Sequence, residues 1–213
     1  MTLNNINILA TLGPSSFDSK VISQLEYVGV DIFRINLSHT SLNELKSLIE
    51  LVHSSTTKPL CIDTEGAQIR TGNIRNGSVV VRHQEIITIV CNSKSPVDHN
   101  VIPLRPSCIA SQIREGDLLS MDFTSVLLHI ITVQRYLIKA KVVSGGLIRS
   151  NKAVSLDRAI NLPALSDKDL KAIAVSKDMG VKHFALSFAS CNEDVIRMRN
   201  LTGNGSFVIA KIE

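Results

Sequence analysis

Tryptophan is absent from this 213-residue chain and tyrosine occurs only twice, so a surface for stacking exposed bases is poorly supplied. Dense blocks of one charge are missing too. The net charge of +4 is mild and scattered, which suits the handling of small anions no less than the binding of nucleic acid. With so few aromatics, we read no nucleic-acid partner. The four cysteines, Cys61, Cys91, Cys108 and Cys191, show no paired spacing and no neighbouring histidine pattern, which argues against a zinc site or a disulfide framework. Cys61 sits in an apolar run and reads as a small core residue. No run approaches the length of a membrane span, and the chain does not open on a charged segment followed by a long apolar one. The expectation is a cytoplasmic, reduced protein with no membrane partner. Repeats and low-complexity tracts are also missing. What is present is ample material for a core: 44% of residues are hydrophobic, in a chain long enough for one large domain or two small ones.

One stretch organises the rest: Asp31-Ile32-Phe33-Arg34-Ile35-Asn36-Leu37-Ser38-His39. Its alternating apolar residues predict a buried strand, and period-two geometry puts Arg34, Asn36 and Ser38 on one face. An arginine there can bind a phosphate or carboxylate, and amide and hydroxyl oxygens can ligate a hard cation. A strand end fading into a polar turn is the plainer alternative. Around it, the pattern predicts a strand over 6–12, a helix from Phe17 to Tyr27 capped by Ser15, Ser16 or Asp18, and a helix from Leu42 to His53. A short strand, Leu60-Cys61-Ile62, then runs into Asp63-Thr64-Glu65-Gly66. Strand and helix alternating at this pace imply parallel strands with right-handed crossovers. Thr11 and Pro14, Asn36 to His39, and Asp63 and Thr64 all fall at carboxyl ends of strands, where parallel α/β folds place their sites.

From Gly72 to about Asp157 the texture changes to short β-branched segments separated by turn signals, which predicts an all-β insertion, a small barrel or sandwich. Asn76-Gly77 reads as a hairpin turn. Helical spacing resumes after the capping-box-like Ser166-Asp167-Lys168-Asp169, followed by a strand at Phe184–Phe188, a helix from Asn192 to Leu201 and a strand at Phe207–Ala210. The expected domains are 1–72, the inserted β domain 73–157, and 158–213.

Five motifs then fall in one order: Thr11-Leu12-Gly13-Pro14, Phe33 to His39, Asp63 to Gly72 (DTEGAQIRTG), Asn161 to Asp169 (NLPALSDKD), and Ala210-Lys211-Ile212-Glu213. Together they resemble pyruvate kinase, over the whole chain but only about the first half of that family's length. The resemblance implies an α/β fold, part of a (β/α)8 TIM-type barrel with an inserted small all-β barrel. It implies phosphoryl transfer from phosphoenolpyruvate to ADP, giving pyruvate and ATP, a reaction that demands positive charge around anionic oxygens. Matched residue by residue, Arg34 would hold the transferring phosphoryl group and Lys211 would stabilise it in flight. Asn36, Ser38, Asp63 and Thr64 would ligate K+, and Glu213 would bind Mg2+ or Mn2+. His39, Arg70 and Lys152 resemble positions on the nucleotide side of the cleft.

Plainer readings stand beside these. Arg34 could pair structurally with Asp63, Asp63-Thr64 could cap a loop, Lys211 and Glu213 could form a surface ion pair, and Lys152 could lie in a solvated basic loop. The chain also departs from the family. Phe123 and Thr124 replace an acid and a glycine after Asp122. Thr40 stands where glycine is usual, and Glu65, Ala67 and Gln68 replace a lysine or neutral residue, a proline and a glutamate. The basic residue expected near Ser190 is missing. Three later strands and a second acidic metal ligand of the family lie beyond Glu213, so the expectation is weak or no activity for these 213 residues alone. A non-catalytic binding module, or one half of a split enzyme, are the alternatives, and a homo-oligomer or a complementing polypeptide is the expected assembly.

Overall fold

The computed structural model of the protein describes residues 6–66, 68–91, 100–122, 125–134 and 137–212. The chain divides into two compact units, Met1–Ala67 with Pro163–Glu213, and Gln68–Leu162. The sequence boundaries at 72/73 and 157/158 differ from this division by five residues at each junction. At the first junction residues 69–71 form a strand of the second unit, and at the second Ile160 and Leu162 pack against that unit's core.

The first unit begins with β1 (Leu9–Thr11), α1 (Ser19–Tyr27), β2 (Ile32–Asn36), α2 (Leu42–Ser55) and β3 (Leu60–Asp63). Asp18 is the cap of α1, accepting from the Lys20 and Val21 amides, while Ser16 turns back to accept from the Gly13 amide. Ser41 and Glu44 close a capping box on α2, whose Leu45, Ile49 and Val52 are fully buried at helical spacing.

The second unit carries β4 (Ile69–Thr71), β5 (Ser78–Val81), β6 (Ile86–Cys91), β7 (Val101–Arg105), β8 (Leu118–Met121), β9 (Val126–Gln134), β10 (Leu137–Ser144), β11 (Gly146–Arg149) and β12 (Ala153–Leu156). Seven of them close into a barrel in the order β10-β6-β7-β4-β12-β8-β9, and β5 pairs with β11 alongside. Inward-facing Ile89, Ile102, Leu119, Leu128, Ile130 and Ile138 fill it. Asn76-Gly77 does not make the hairpin expected of it. Both residues take positive φ, as such a turn demands, but they end a short 3-10 turn leading into β5, and β5 pairs with β11, not with the preceding β4.

The chain returns to the first unit through α3 (Asp167–Asp178), β13 (His183–Leu186), α4 (Asn192–Thr202) and β14 (Phe207–Ala210). The sheet there is five-stranded and parallel, in the order β1-β2-β3-β13-β14. Because strand order follows chain order with no reversal, no switch point divides the sheet, and the helices form one row: α1 packs on α2, α2 on α3, and α3 on α4. This is the arrangement of a (β/α)8 barrel sector. Phe33, Ile35, Leu60, Ile62, Phe184 and Leu186 are buried in the core that those helices cover.

Candidate functional site

Period-two geometry decides what faces away from the helices. The register aligns Arg34 with Cys61 and Thr11, Asn36 with Asp63, and Asp63 with Ala185. Since Phe33, Ile35 and Ile62 point to the helix core, Thr11, Arg34, Asn36 and Asp63 share the opposite face, at the carboxyl ends of their strands. Ser187, two residues beyond Ala185, and Lys211, two beyond Ile209, continue that face past β13 and β14.

Asp63 is the centre. It is 1% exposed. Its Oδ2 receives the Lys211 ammonium at 3.1 Å and faces the Arg34 Nε at 3.5 Å, and its Oδ1 accepts from the Ser187 hydroxyl at 3.1 Å. The structural pairing of Arg34 with Asp63 is therefore real, and it is shared with a lysine just past β14, about 150 residues away in sequence. Two partly buried cations against one buried carboxylate give this trio more positive than negative charge. That is the electrostatic requirement for holding an anion with several oxygens.

Ser38 departs from the expected strand. β2 ends at Asn36, whose side-chain oxygen accepts from the Ser38 amide at 2.9 Å, turning the chain so that Ser38 is buried beside it. Asn36, Ser38, Asp63 and Thr64 thus come from two adjacent strand ends and offer amide, hydroxyl, carboxylate and carbonyl oxygens with a single charge among them. Such a set fits a monovalent hard cation better than a divalent one. The described residues contain no cluster of three or more His, Cys, Asp or Glu side chains placed to hold a metal. Glu213, the expected divalent ligand, lies outside the described residues, as do Phe123 and Thr124.

His39 borders a cavity of about 640 Å³ at the ends of β1 and β2, lined also by Thr11, Pro14, Phe17, Arg34 and Asn36, with α2 residues closing one side. Arg70 and Lys152 belong to the second unit. β4 pairs with β12 there, Arg70 opposite Ala153 and the Thr71 amide donating to the Lys152 carbonyl; Arg70 donates to the Asn151 carbonyl at 3.1 Å, and Lys152 faces Asp122 at 3.5 Å. Arg149 meets the same carboxylate at 3.6 Å.

Burial, then the neighbouring Asp63 charge, pushes the Cys61 thiol up to about 12, against a smaller opposing pull from Arg34 and Lys211. It is an inert core thiol, not a nucleophile.

Sequence reasoning missed Ser187, Lys168 and Asp169. Lys168 reaches from α3 to the Leu37 carbonyl, between Asn36 and Ser38. Ser187 was findable, because counting by two from Ala185 puts it on the Asp63 face. The other two act from a helix N-terminus, and no local pattern says which loop that terminus will meet.

A family model described as the pyruvate kinase barrel domain matches residues 3–213. Among curated proteins, the chain is 30% identical to a pyruvate kinase of Aeropyrum pernix, over 92% of this chain and 42% of that one. It is 30% identical to a pyruvate kinase of Agrobacterium vitis (97% and 45% covered) and 29% identical to one of Thermococcus litoralis (97% and 45%). The chain spans less than half the length of these relatives.

Proposed function

The chain belongs to the pyruvate kinase family, and from that premise we propose that its first unit forms the phosphoryl-binding half of an active site passing phosphate from phosphoenolpyruvate to ADP. The observation that carries this reading is the Arg34–Asp63–Lys211 cluster, two cations held by one buried carboxylate on the carboxyl side of a parallel sheet.

In this reading Asp63 holds both cations in place before substrate arrives. The Arg34 guanidinium, with donors beyond the Nε turned to Asp63, receives the phosphoryl oxygens, and the Lys211 ammonium follows the group as it moves between oxygens. Preorganised charge of this kind needs no rearrangement at the moment of transfer. Asn36, Ser38, Asp63 and Thr64 would hold a potassium ion, which when bound adds positive charge beside the phosphoryl oxygens. A magnesium ion would require Glu213 and further ligands. The cavity beside His39 would be the nucleotide side of the first unit.

Phe207 and Ile196 remain 57% and 52% exposed on β14 and α4. This supports completion of the barrel by further strand–helix units, from the same polypeptide or a complementing one, as the condition for turnover. The protein would act in glycolysis in the cytoplasm.

A lactate dehydrogenase-coupled assay of these 213 residues, with potassium and magnesium, should show little or no pyruvate formation. Phosphoenolpyruvate should nonetheless raise the melting temperature. No thermal response at millimolar phosphoenolpyruvate would refute the half-site, and turnover approaching that of an intact family member would refute the need for completion.

A further inference from the structure

β3 ends on one expected cation ligand, Asp63, and the loop after it opens on another, Thr64; that loop's own backbone cannot hold it in place. The ladder with β13 ends at the Thr64 amide, which donates to the Ala185 carbonyl at 2.9 Å. The next two amides, Glu65 and Gly66, have no strand to bond. They are buried, so each needs an acceptor. Both find it in one side chain about a hundred residues further along. Asp169 Oδ1 accepts from the Glu65 amide at 2.7 Å, and Oδ2 accepts from the Gly66 amide at 3.2 Å.

Asp169 is wholly buried in the first turn of α3. It closes the helix capping box there, its Oδ2 accepting from the Ser166 amide at 2.9 Å and from the Ser166 hydroxyl at 2.8 Å. Its Oδ1 takes no part in the cap. A capping residue needs one oxygen for the cap, and this one spends the other on the loop. On the far side, the Ser187 hydroxyl donates to the Thr64 carbonyl at 2.8 Å, and its amide donates to the Thr64 hydroxyl at 3.0 Å. The loop is thus gripped between β13 and the N-terminus of α3.

We propose that Asp169 is a positioning residue for monovalent-cation binding: by fixing the Glu65 and Gly66 amides it sets the Asp63 carboxylate and Thr64 carbonyl for the ion. This rests on the reading of Asn36, Ser38, Asp63 and Thr64 as a cation site. Asp169 touches neither ion nor substrate and acts through the loop alone.

Two variants separate this role from helix capping. Asp169→Asn keeps size and shape, but an amide has a single acceptor. With its oxygen turned to Ser166 to keep the cap, its NH2 group meets the Glu65 N–H, donor against donor, and the loop must move. Ser166→Ala weakens the cap and leaves both loop contacts intact.

The probe is potassium chloride, titrated at constant ionic strength against tetramethylammonium chloride, with melting temperature as the readout. Asp169→Asn should raise the half-saturating potassium concentration by roughly tenfold, and Ser166→Ala should leave it within about twofold while still lowering the ion-free melting temperature. The Glu65 and Gly66 amide protons should exchange faster with water only in Asp169→Asn. Should that variant not fold, Asp169→Glu keeps the usual capping residue and displaces the carboxylate by one methylene; it should weaken potassium in the same direction.

Unchanged potassium binding in the Asp169 variants, or equal weakening in Ser166→Ala, overturns the positioning role alone. A wild-type protein without a potassium-specific rise overturns the cation site and this role with it.

Discussion

At the scale of single residues, Asp63 shows how a structural and a functional reading of one ion pair can both hold. A buried carboxylate must be compensated, and Lys211 and Arg34 do so unequally. Lys211 makes the 3.1 Å hydrogen-bonded contact, whereas Arg34 stands off at 3.5 Å. Loss of Lys211 should therefore cost more stability. Lys211→Met is expected to lower the free energy of unfolding by about 1–3 kcal/mol, the usual penalty for stripping a charged hydrogen bond from a buried partner. Arg34→Gln should cost less. Both should abolish the rise in melting temperature expected with phosphoenolpyruvate. Urea unfolding with and without the ester measures the two effects together. If Arg34→Gln keeps the ester response, the arginine is only a strut for Asp63, and its phosphoryl role fails.

At the scale of elements, what could be read from the sequence divides by distance along the chain. Helix starts were legible because their signals are local: Asp18, Ser41 and Ser166 each cap a helix from within a few residues of it. The strands of the parallel sheet were legible for a related reason, since one alternating segment per helix leaves little choice of pairing. Asn76-Gly77 was misread because a turn signature fixes backbone angles and not the strand that follows. The angles are as expected, at +61° and +79°, yet β5 finds its partner some seventy residues away. Asp169 was hidden for the same reason, by a contact across the sheet's end, whereas the misreading at Ser38 was local: an Asx turn from Asn36 ends β2 before it.

Two glycines test this distinction between local and distant constraint. Gly77 has positive φ and open space where a Cβ would go, so Gly77→Ala should cost only the conformational penalty, about 1–2 kcal/mol. Gly66 has φ of +76°, and a Cβ there would meet the Ser187 Cβ at 2.8 Å and the Phe188 ring at 2.9 Å. Gly66→Ala should add an overpacking cost of roughly 1–3 kcal/mol and displace the Asp63–Gly66 loop. Melting curves for the two variants, with phosphoenolpyruvate as probe, should show response kept in the first and lost in the second. Equal costs would mean that the loop yields easily, contrary to the packing.

At the scale of the whole molecule, two units with separate cores make it possible to address one without altering the other's interior. The β unit holds a suitable handle. Arg158 grips Asp117 through two contacts of 2.8 Å, Nε to Oδ1 and Nη2 to Oδ2. Burial pushes the Asp117 carboxyl up, but hydrogen bonds from the Arg158 side chain and the Arg114 amide, with the charges of both arginines, outweigh it and leave the group below its ordinary 3.8. A carboxyl depressed in the folded state binds its proton more readily when unfolded. Its stabilisation is therefore complete above the ordinary value and is lost as the pH falls through the folded one. Arg158→Gln removes the charge and most of the grip, so the folded value should climb toward the ordinary one and acid should open the β unit at higher pH. Methyl signals of Ile87, Ile89 and Ile130 report on that core, and those of Ile35, Ile49 and Ile62 on the other. In an acid titration the first set should lose its native dispersion at higher pH in the variant than in the wild type. The second set should keep the acid midpoint it has in the wild type, because it belongs to a separate core. If both sets move together, the acid response belongs to the chain as one cooperative body, and the two cores do not unfold as separate units.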